Sequence, residues 1–481
     1  MSNLELEAKH PGYKFRWWIV AVVLAAEIVD LLDATIVNIA GPTLRASLGS
    51  SVTQLQWVIG GYTLALGAGL VVGGRLGDRF GTRQMFLFGM IGFTLASLLC
   101  AISPSIELLI TFRIVQGFLG AMLLPQGFGL IRGAFPPQEF GKAFAAYGPA
   151  FGIAGILGPI LGGAIIQGNW FNLDWRVVFL VNLPIGLVAA IMAWRVLPKT
   201  KPNKQIRIDL LGAGVVAVAS ALLVWPLIQG QDAGWPLWTW VSMAVSLVLF
   251  YIFVLLERRS VAHGETPLVE PSLFKKPAFT FGLAGIALYF GALVGFNLLL
   301  TLFFQLGHGF STGEAGLANI PLTLGTAVGG GVAGAVLSAK LGRVTLQLGA
   351  ALSLVGLLLV WLVAAASFNY WLFVPGFAIF GIGSGFVVSS LFDIILSATD
   401  DHESGSASGA LTAIQSIASS MGVAITAAVF FKGFSAADLA QFHFTEIKSQ
   451  AAMQAAILVP AIFLALFLLV SPKLPRFASR H

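Results

Sequence analysis

The sequence predicts an all-α integral membrane protein with fourteen transmembrane helices, and three features carry the prediction. Hydrophobic residues make up 57% of the 481 residues and charged residues only 10%, against roughly 25% charged in a soluble domain. About fourteen apolar stretches are each long enough to cross a bilayer, which takes about 20 residues. The Lys and Arg residues fall almost wholly in the short segments between those stretches, and mainly on one side. A chain this apolar has too little polar surface to face water, so lipid is its outer solvent. The 56 glycines fit, because small residues let membrane helices approach closely.

The stretches run 17–40, 54–75, 84–103, 106–128, 143–167 and 176–197, then 208–228 and 238–256, then 278–305, 315–338, 343–366, 370–396, 405–431 and 451–471. This gives an N-terminal six-helix bundle (1–200), an inserted helix pair (201–258), a linker (259–277) and a C-terminal six-helix bundle with a short tail (278–481). Of 27 Lys and Arg, Arg45, Arg176, Lys432 and Lys448 lie on one side and Arg113 lies within a helix. The remaining 22 share the side of both termini, which is therefore expected to be cytoplasmic. The first stretch is too long for a signal-peptide core, so it is expected to be retained. The net charge of +6 reflects topology and not nucleic-acid binding, and the lone Cys100 permits neither an internal disulfide nor a cysteine metal site.

A worn internal repeat supports the two-bundle division. GGRLGDRFGTRQMFL (73–87) shifts by 261 positions onto GAVLSAKLGRVTLQL (334–348). Gly73, Leu76, Gly81 and Leu87 recur as Gly334, Leu337, Gly342 and Leu348, each set after the second helix of a six-helix block. Duplicated halves around a central site are a common transporter plan.

The charges left inside helices are the candidate functional groups. Glu27, Asp30 and Asp33 lie three apart, an arc of about 120° and so one helix face, within about 9 Å of axis. Each charged carboxylate at the bilayer centre costs about 2.5–3.5 kcal/mol. Three together are expected to line a water-filled cavity between the halves, partly protonated, where they could carry protons; the alternative is simple pairing with a cation. Arg113 needs an acidic or carbonyl partner, as a coupling group or as a static tether. Asp393 either faces the cavity from the second half or sits wet near a helix end. Gly77 and Gly81 permit positive φ in a tight turn from Gly73 to Arg83, where Asp78 is flanked by Arg75, Arg79 and Arg83. Gly158-Pro159 removes a backbone bond and bends the fifth helix, with Gly155, Gly162 and Gly163 leaving a flat packing face.

Six segments resemble, in order, the fourteen-helix drug:proton antiporters of the major facilitator superfamily. They are LLDATIVNIAGPTL (31–44), LQWVIGGYTLALGAGLVVGGRLGDRFGTR (55–83), LITFRIVQGFLGAMLLP (109–125), GIAGILGPILGG (152–163), WRVVFLVNLPIG (175–186) and ESGSASGALTAIQSIASSMGVAI (403–425). The resemblance implies a major-facilitator fold with alternating access, and export coupled to inward proton flow. It makes Asp33 the signature acid of helix 1; Glu27 and Asp30 are additions to the pattern. It makes Arg113 the helix 4 arginine, beside Gln116 and Gly117, and residues 152–163 the antiporter motif. It makes the turn at Gly77, Asp78, Arg79, Gly81 and Arg83 a latch between the halves, with Asp78 as its key acid; the second copy has Ala339 in that place.

Trp57, Tyr62, Phe151, Asn182, Tyr289, Asn297, Phe304 and Gln305 are aromatic or polar side chains within helices and are the substrate-binding candidates. A large aromatic pocket with few polar groups suits lipophilic cationic or neutral drugs or antibiotics. A substrate-specific exporter or importer of a natural product, lipid or nutrient on the same fold is the alternative. An enzyme is not expected: His10, His263, His308, His402, His443 and His481 are scattered, and no phosphate-binding GxxxxGK[ST] loop occurs. The expected partners are a small lipophilic substrate, protons and the bilayer of the inner membrane, with no nucleic acid, no metal and no cofactor beyond the coupling proton, in a monomer. The linker around 257–277 and the loop around 432–450 are expected to be the soluble pieces.

Overall fold

The computed structural model describes the chain apart from residues 1–12, 51, 137–138, 140–141, 144–145, 147–149, 151–157, 159–160, 163, 166–167, 169–171, 200–201, 203–208, 231–232, 264–266, 365–367, 397–403, 435–445 and 478–481. Among the described residues the regular structure is helical throughout. Lipid demands this, because a helix satisfies every backbone N–H and C=O within one crossing segment.

Thirteen long helices are described: α1 (Arg16–Leu48), α2 (Val52–Phe80), α3 (Thr82–Ala101), α4 (Ile106–Ala134), α5 (Arg176–Val196), α6 (Leu210–Gln229), α7 (Leu237–Ala262), α8 (Pro277–Gly307), α9 (Ile320–Leu341), α10 (Arg343–Ala364), α11 (Tyr370–Leu396), α12 (Ser404–Phe431) and α13 (Glu446–Lys473). Ten are long and apolar enough to cross a membrane, and α2 makes eleven when counted as one bent span. α1 and α6 are helices of 33 and 20 residues, long enough to cross as well. The fifth expected stretch, 143–167, falls largely on residues outside the description.

Each half is knit by glycine-lined approaches. A Cβ on Gly73 of α2 would sit 2.4 Å from the Ala121 carbonyl of α4, and one on Gly422 of α12 would sit 2.1 Å from the Gly291 carbonyl of α8. The helix of α4 itself breaks over 121–123, just before Pro125, which has no N–H to give to the ladder. The two halves meet where α12 packs on α2 and on the last part of α4. Phe128 of α4 stacks on Phe392 of α11, with ring centroids 5.1 Å apart. This contact lies toward the face that carries both termini, so the halves meet at that face. The inserted α6 leans on both α2 and α12, across the seam. It is tied to α7 by Ser246 Oγ donating to the Ala219 carbonyl at 2.7 Å and Ser242 Oγ to the Leu222 carbonyl at 2.7 Å.

The repeat is visible in backbone conformation. Gly81 has φ +97° and Gly342 has φ +55°, so both copies turn on a glycine in the left-handed region. The expected turn is shorter than the sequence suggested. α2 stays helical through Phe80, and Gly77 serves a different need, since a Cβ there would collide with the Gln126 side chain. The two copies are also fastened differently. Arg343 donates to the Pro472 carbonyl at 2.6 Å and the Leu474 carbonyl at 2.9 Å, and its own N–H donates to the Arg476 carbonyl at 2.9 Å. Segment 471–477 thus gives the second copy a backbone clasp of three carbonyls.

α7 runs to Ala262, and the linker after it packs in part on the protein. Leu268, Val269 and Leu273 are buried against the termini-side ends of the helices. Its basic flanks suggested a wet loop, but its apolar residues seat it in the protein. Most of the opposite-face loop, 435–445, lies outside the described residues.

Candidate functional site

Five helices of the first half bring polar side chains to one buried point. Asp33 of α1 is 0% exposed and Arg113 of α4 is 1% exposed, and the two form an ion pair. The other Asp33 oxygen accepts from Asn182 Nδ2 of α5 at 2.6 Å and from Gln116 Nε2 at 3.2 Å. Arg113 also donates from Nε to the Val58 carbonyl of α2 at 3.1 Å and from Nη1 to Gln116 Oε1 at 2.9 Å. Asn182 reaches Ser97 Oγ of α3 at 3.0 Å, and Ser97 donates to the Phe179 carbonyl at 3.0 Å. Charge-assisted bonds of this kind are roughly twice as strong as neutral ones.

A second acid is wired to the same point through an aromatic ring. The Arg113 guanidinium lies 4.1 Å from the Tyr62 ring centroid, a cation–π contact, and the Tyr62 hydroxyl donates to Asp30. Glu27, toward the termini face on the same helix, is 6% exposed and makes no hydrogen bond among the described residues. The expected carboxylate face therefore exists, and in this structure it is buried among the helices. Its three acids differ in their partners: Asp33 is held by a full charge, Asp30 by a phenol, and Glu27 by neither.

Asp393 of α11 is half-buried, without a hydrogen bond or ion pair among the described residues, beside Phe392 at the closed seam. The structure does not bring it into contact with the first-half acids. At the latch, Asp78 bonds Arg75 Nη1 at 3.3 Å, and Arg75 does the reaching. It is 4% exposed, donates from Nε to the Leu268 carbonyl at 2.8 Å and pairs with Glu270 at 3.1 Å. Arg83 donates to the Trp194 carbonyl at the end of α5, and the Arg79 guanidinium lies 5.4 Å from the Phe80 ring centroid. Of the antiporter-motif residues, Gly158 and Gly162 are buried, whereas Gly155, Pro159 and Gly163 lie outside the described residues, as does Phe151.

The substrate candidates disperse. Tyr62 and Asn182 belong to the Asp33 cluster. Tyr289 is buried between α8, α11 and α13, its hydroxyl 3.1 Å from the Ser384 carbonyl. Asn297 bonds back to the Leu293 carbonyl at 2.8 Å. Phe304 is enclosed by Phe303, Phe310, Phe373 and Phe377, and Gln305 sits in the π-helical turn Phe303–Gly307. Trp57 is half-buried and faces Trp225 of the inserted α6, ring centroids 5.9 Å apart. Sequence reasoning named Arg75 only as a flank of Asp78 and missed Ser97 and Glu270 as site residues. A polar residue in a strongly apolar stretch is the signal for Ser97.

The family model for the Major Facilitator Superfamily matches residues 23–423. The chain belongs to the major facilitator superfamily. Within curated members it is 42% identical over 424 residues to a probable actinorhodin transporter of Streptomyces coelicolor, covering 88% of this chain and 73% of that protein. It is 34% identical to a puromycin resistance protein of Streptomyces alboniger, covering 85% and 81%, and 30% identical to a tetracenomycin C resistance and export protein of Streptomyces glaucescens, covering 86% and 76%. Two solved major-facilitator structures share the fold. The human organic anion transporter has a TM-score of 0.64 at 16% identity, covering 95% of this chain and 99% of that one. A proton:xylose symporter has 0.62 at 15%, covering 94% and 96%. The chain is thus a multi-pass membrane transporter of small molecules, with the superfamily's two bundles and an extra helix pair between them.

Proposed function

We propose that this superfamily member is a proton-coupled antiporter that exports lipophilic cationic or neutral antibiotics by alternating access. The observation that carries the reading is the wholly buried Asp33–Arg113 pair, linked through the Tyr62 ring to the second acid, Asp30. A proton arriving at Asp33 cancels its charge and leaves Arg113 buried beside a neutral partner. Breaking a buried pair from one side costs about 3–5 kcal/mol, so the bundle gains from a rearrangement that offers Arg113 another anion. Asp30 is that anion, one helical turn away on the same face. Proton uptake thereby changes the relative stability of two arrangements, which is what coupling requires. The names of the actinorhodin, puromycin and tetracenomycin relatives support an antibiotic as the cargo.

The test is purified protein in vesicles carrying an imposed pH gradient, with a panel of planar aromatic antibiotics. Accumulation against the concentration gradient, lost when the pH gradient is collapsed, is the expected result. Accumulation that ignores the pH gradient would leave a uniporter. The chain works as a monomer in the cytoplasmic membrane with both termini inside. A periplasm-active reporter fused after His481 is expected to stay silent, and a strong signal would reverse the orientation.

A further inference from the structure

We propose that Glu257, in the inserted helix pair, is a positioning residue for the latch, and that the pair serves to hold the linker against Arg75. Glu257 lies in the last part of α7, 3% exposed. Its Oε2 accepts the Val269 N–H of the linker at 3.0 Å. The neighbouring Leu268 carbonyl accepts from Arg75 Nε at 2.8 Å, and Glu270, one residue further, pairs with Arg75 Nη2 at 3.1 Å. Three successive linker residues are therefore gripped from opposite sides, by α7 at Val269 and by α2 at Leu268 and Glu270.

The other carboxylate oxygen faces the inserted pair. Glu257 Oε1 is buried without a hydrogen-bond partner among the described residues. It lies over the first turn of α6, where a Cβ added to Gly212 would be 3.1 Å from it, while Asp209 caps that turn by accepting the Gly212 N–H at 2.8 Å. Glu257 is thus wedged between α6 and the linker, and α6 in turn packs on α2 and α12, the two helices of the seam. A buried carboxylate with one idle oxygen is costly. It persists because the remaining oxygen fixes the strand that presents an acceptor and a counter-charge to Arg75. Nothing in the two-bundle plan requires the inserted pair to hold the linker, and here Glu257 bonds its backbone.

The proposal rests on reading the loop after α2 as a conformational latch, and the experiment separates the two. Amide exchange of residues 267–273 and transport in vesicles are measured on the full chain for Glu257→Gln, Glu257→Ala and Arg75→Gln, and for Glu257→Ala combined with Arg75→Gln. Glu257→Gln keeps a carbonyl acceptor and is expected to behave as the parent. Glu257→Ala is expected to speed exchange at the linker about tenfold and to lower transport by a similar factor. In the Arg75→Gln background the same change is expected to add nothing, because interacting sites are non-additive. Additive losses, unchanged exchange, or a Gln variant as impaired as the Ala variant would overturn the assignment. If Glu257→Ala does not fold, Val269→Pro deletes the same bond from the linker side and must give both readouts. Faster exchange with no transport by the parent protein would sink the exporter reading and leave the linker grip standing.

Discussion

Asp33→Asn is expected to reduce uphill, gradient-driven export by about 100-fold, the upper part of the range for a coupling free energy. The side chain keeps its shape and can still accept from Asn182 and Gln116, so folding should survive. What disappears is the second protonation state. Coupling is a difference in stability between protonated and ionised forms, and an amide has one form only. Arg113 then lacks its full counter-charge, which favours the arrangement in which it turns to Asp30. Binding of neutral compounds is expected to persist while pH-driven accumulation does not. Measuring both on one vesicle preparation decides the matter, and parent-like uphill transport would move the proton to Asp30, Glu27 or Asp393.

The second large effect is expected at Arg75 and not at Asp78. Arg75→Gln removes a buried cation that bonds the Leu268 carbonyl, Glu270 and Asp78 together. Asp78 and Glu270 are partly exposed, so their ion pairs are screened and modest. The unpaired, buried carbonyl is the larger loss, about 1–3 kcal/mol. That shifts a two-state equilibrium by about tenfold toward the conformation in which the termini face opens. Labelling of a cysteine placed at Phe128, inside the closed seam, should quicken by the same factor in the Arg75→Gln protein. Asp78→Asn should give a smaller change. Equal rates with and without Arg75 would show that the seam closes on its own.

The bundle plan, the carboxylate face and the two turning glycines were legible because they are local. A crossing segment announces itself by about 20 apolar residues, and three acids three apart share a face whatever surrounds them. Partners were not legible. Asp33 and Arg113 are 80 positions apart, and nothing in either segment says that they meet. Asn182 illustrates the difficulty. A lone amide in an apolar helix must bond something, and substrate and Asp33 satisfy that demand equally well on paper. The packing of the linker was hidden for a related reason. Arg258, Arg259, Lys275 and Lys276 mark it as a loop facing water, whereas Leu268, Val269 and Leu273 between them decide its burial. Charge sets the side of the membrane; the apolar residues set the depth.

The unequal fastening of the two repeat copies has a consequence for how the protein can change over generations. The first copy depends on the identities of Arg75, Asp78 and Glu270, so single substitutions can retune or disable it. The second is held by the carbonyls of Pro472, Leu474 and Arg476, which any amino acid would supply. Its tail partner is thus indifferent to its exposed side chains and sensitive to length. Deleting Ser471 would misalign every acceptor, whereas exchanging exposed side chains there would leave the clasp intact. Drift in this transporter is accordingly free in the exposed letters of this segment and fixed in its count and in the buried Leu474.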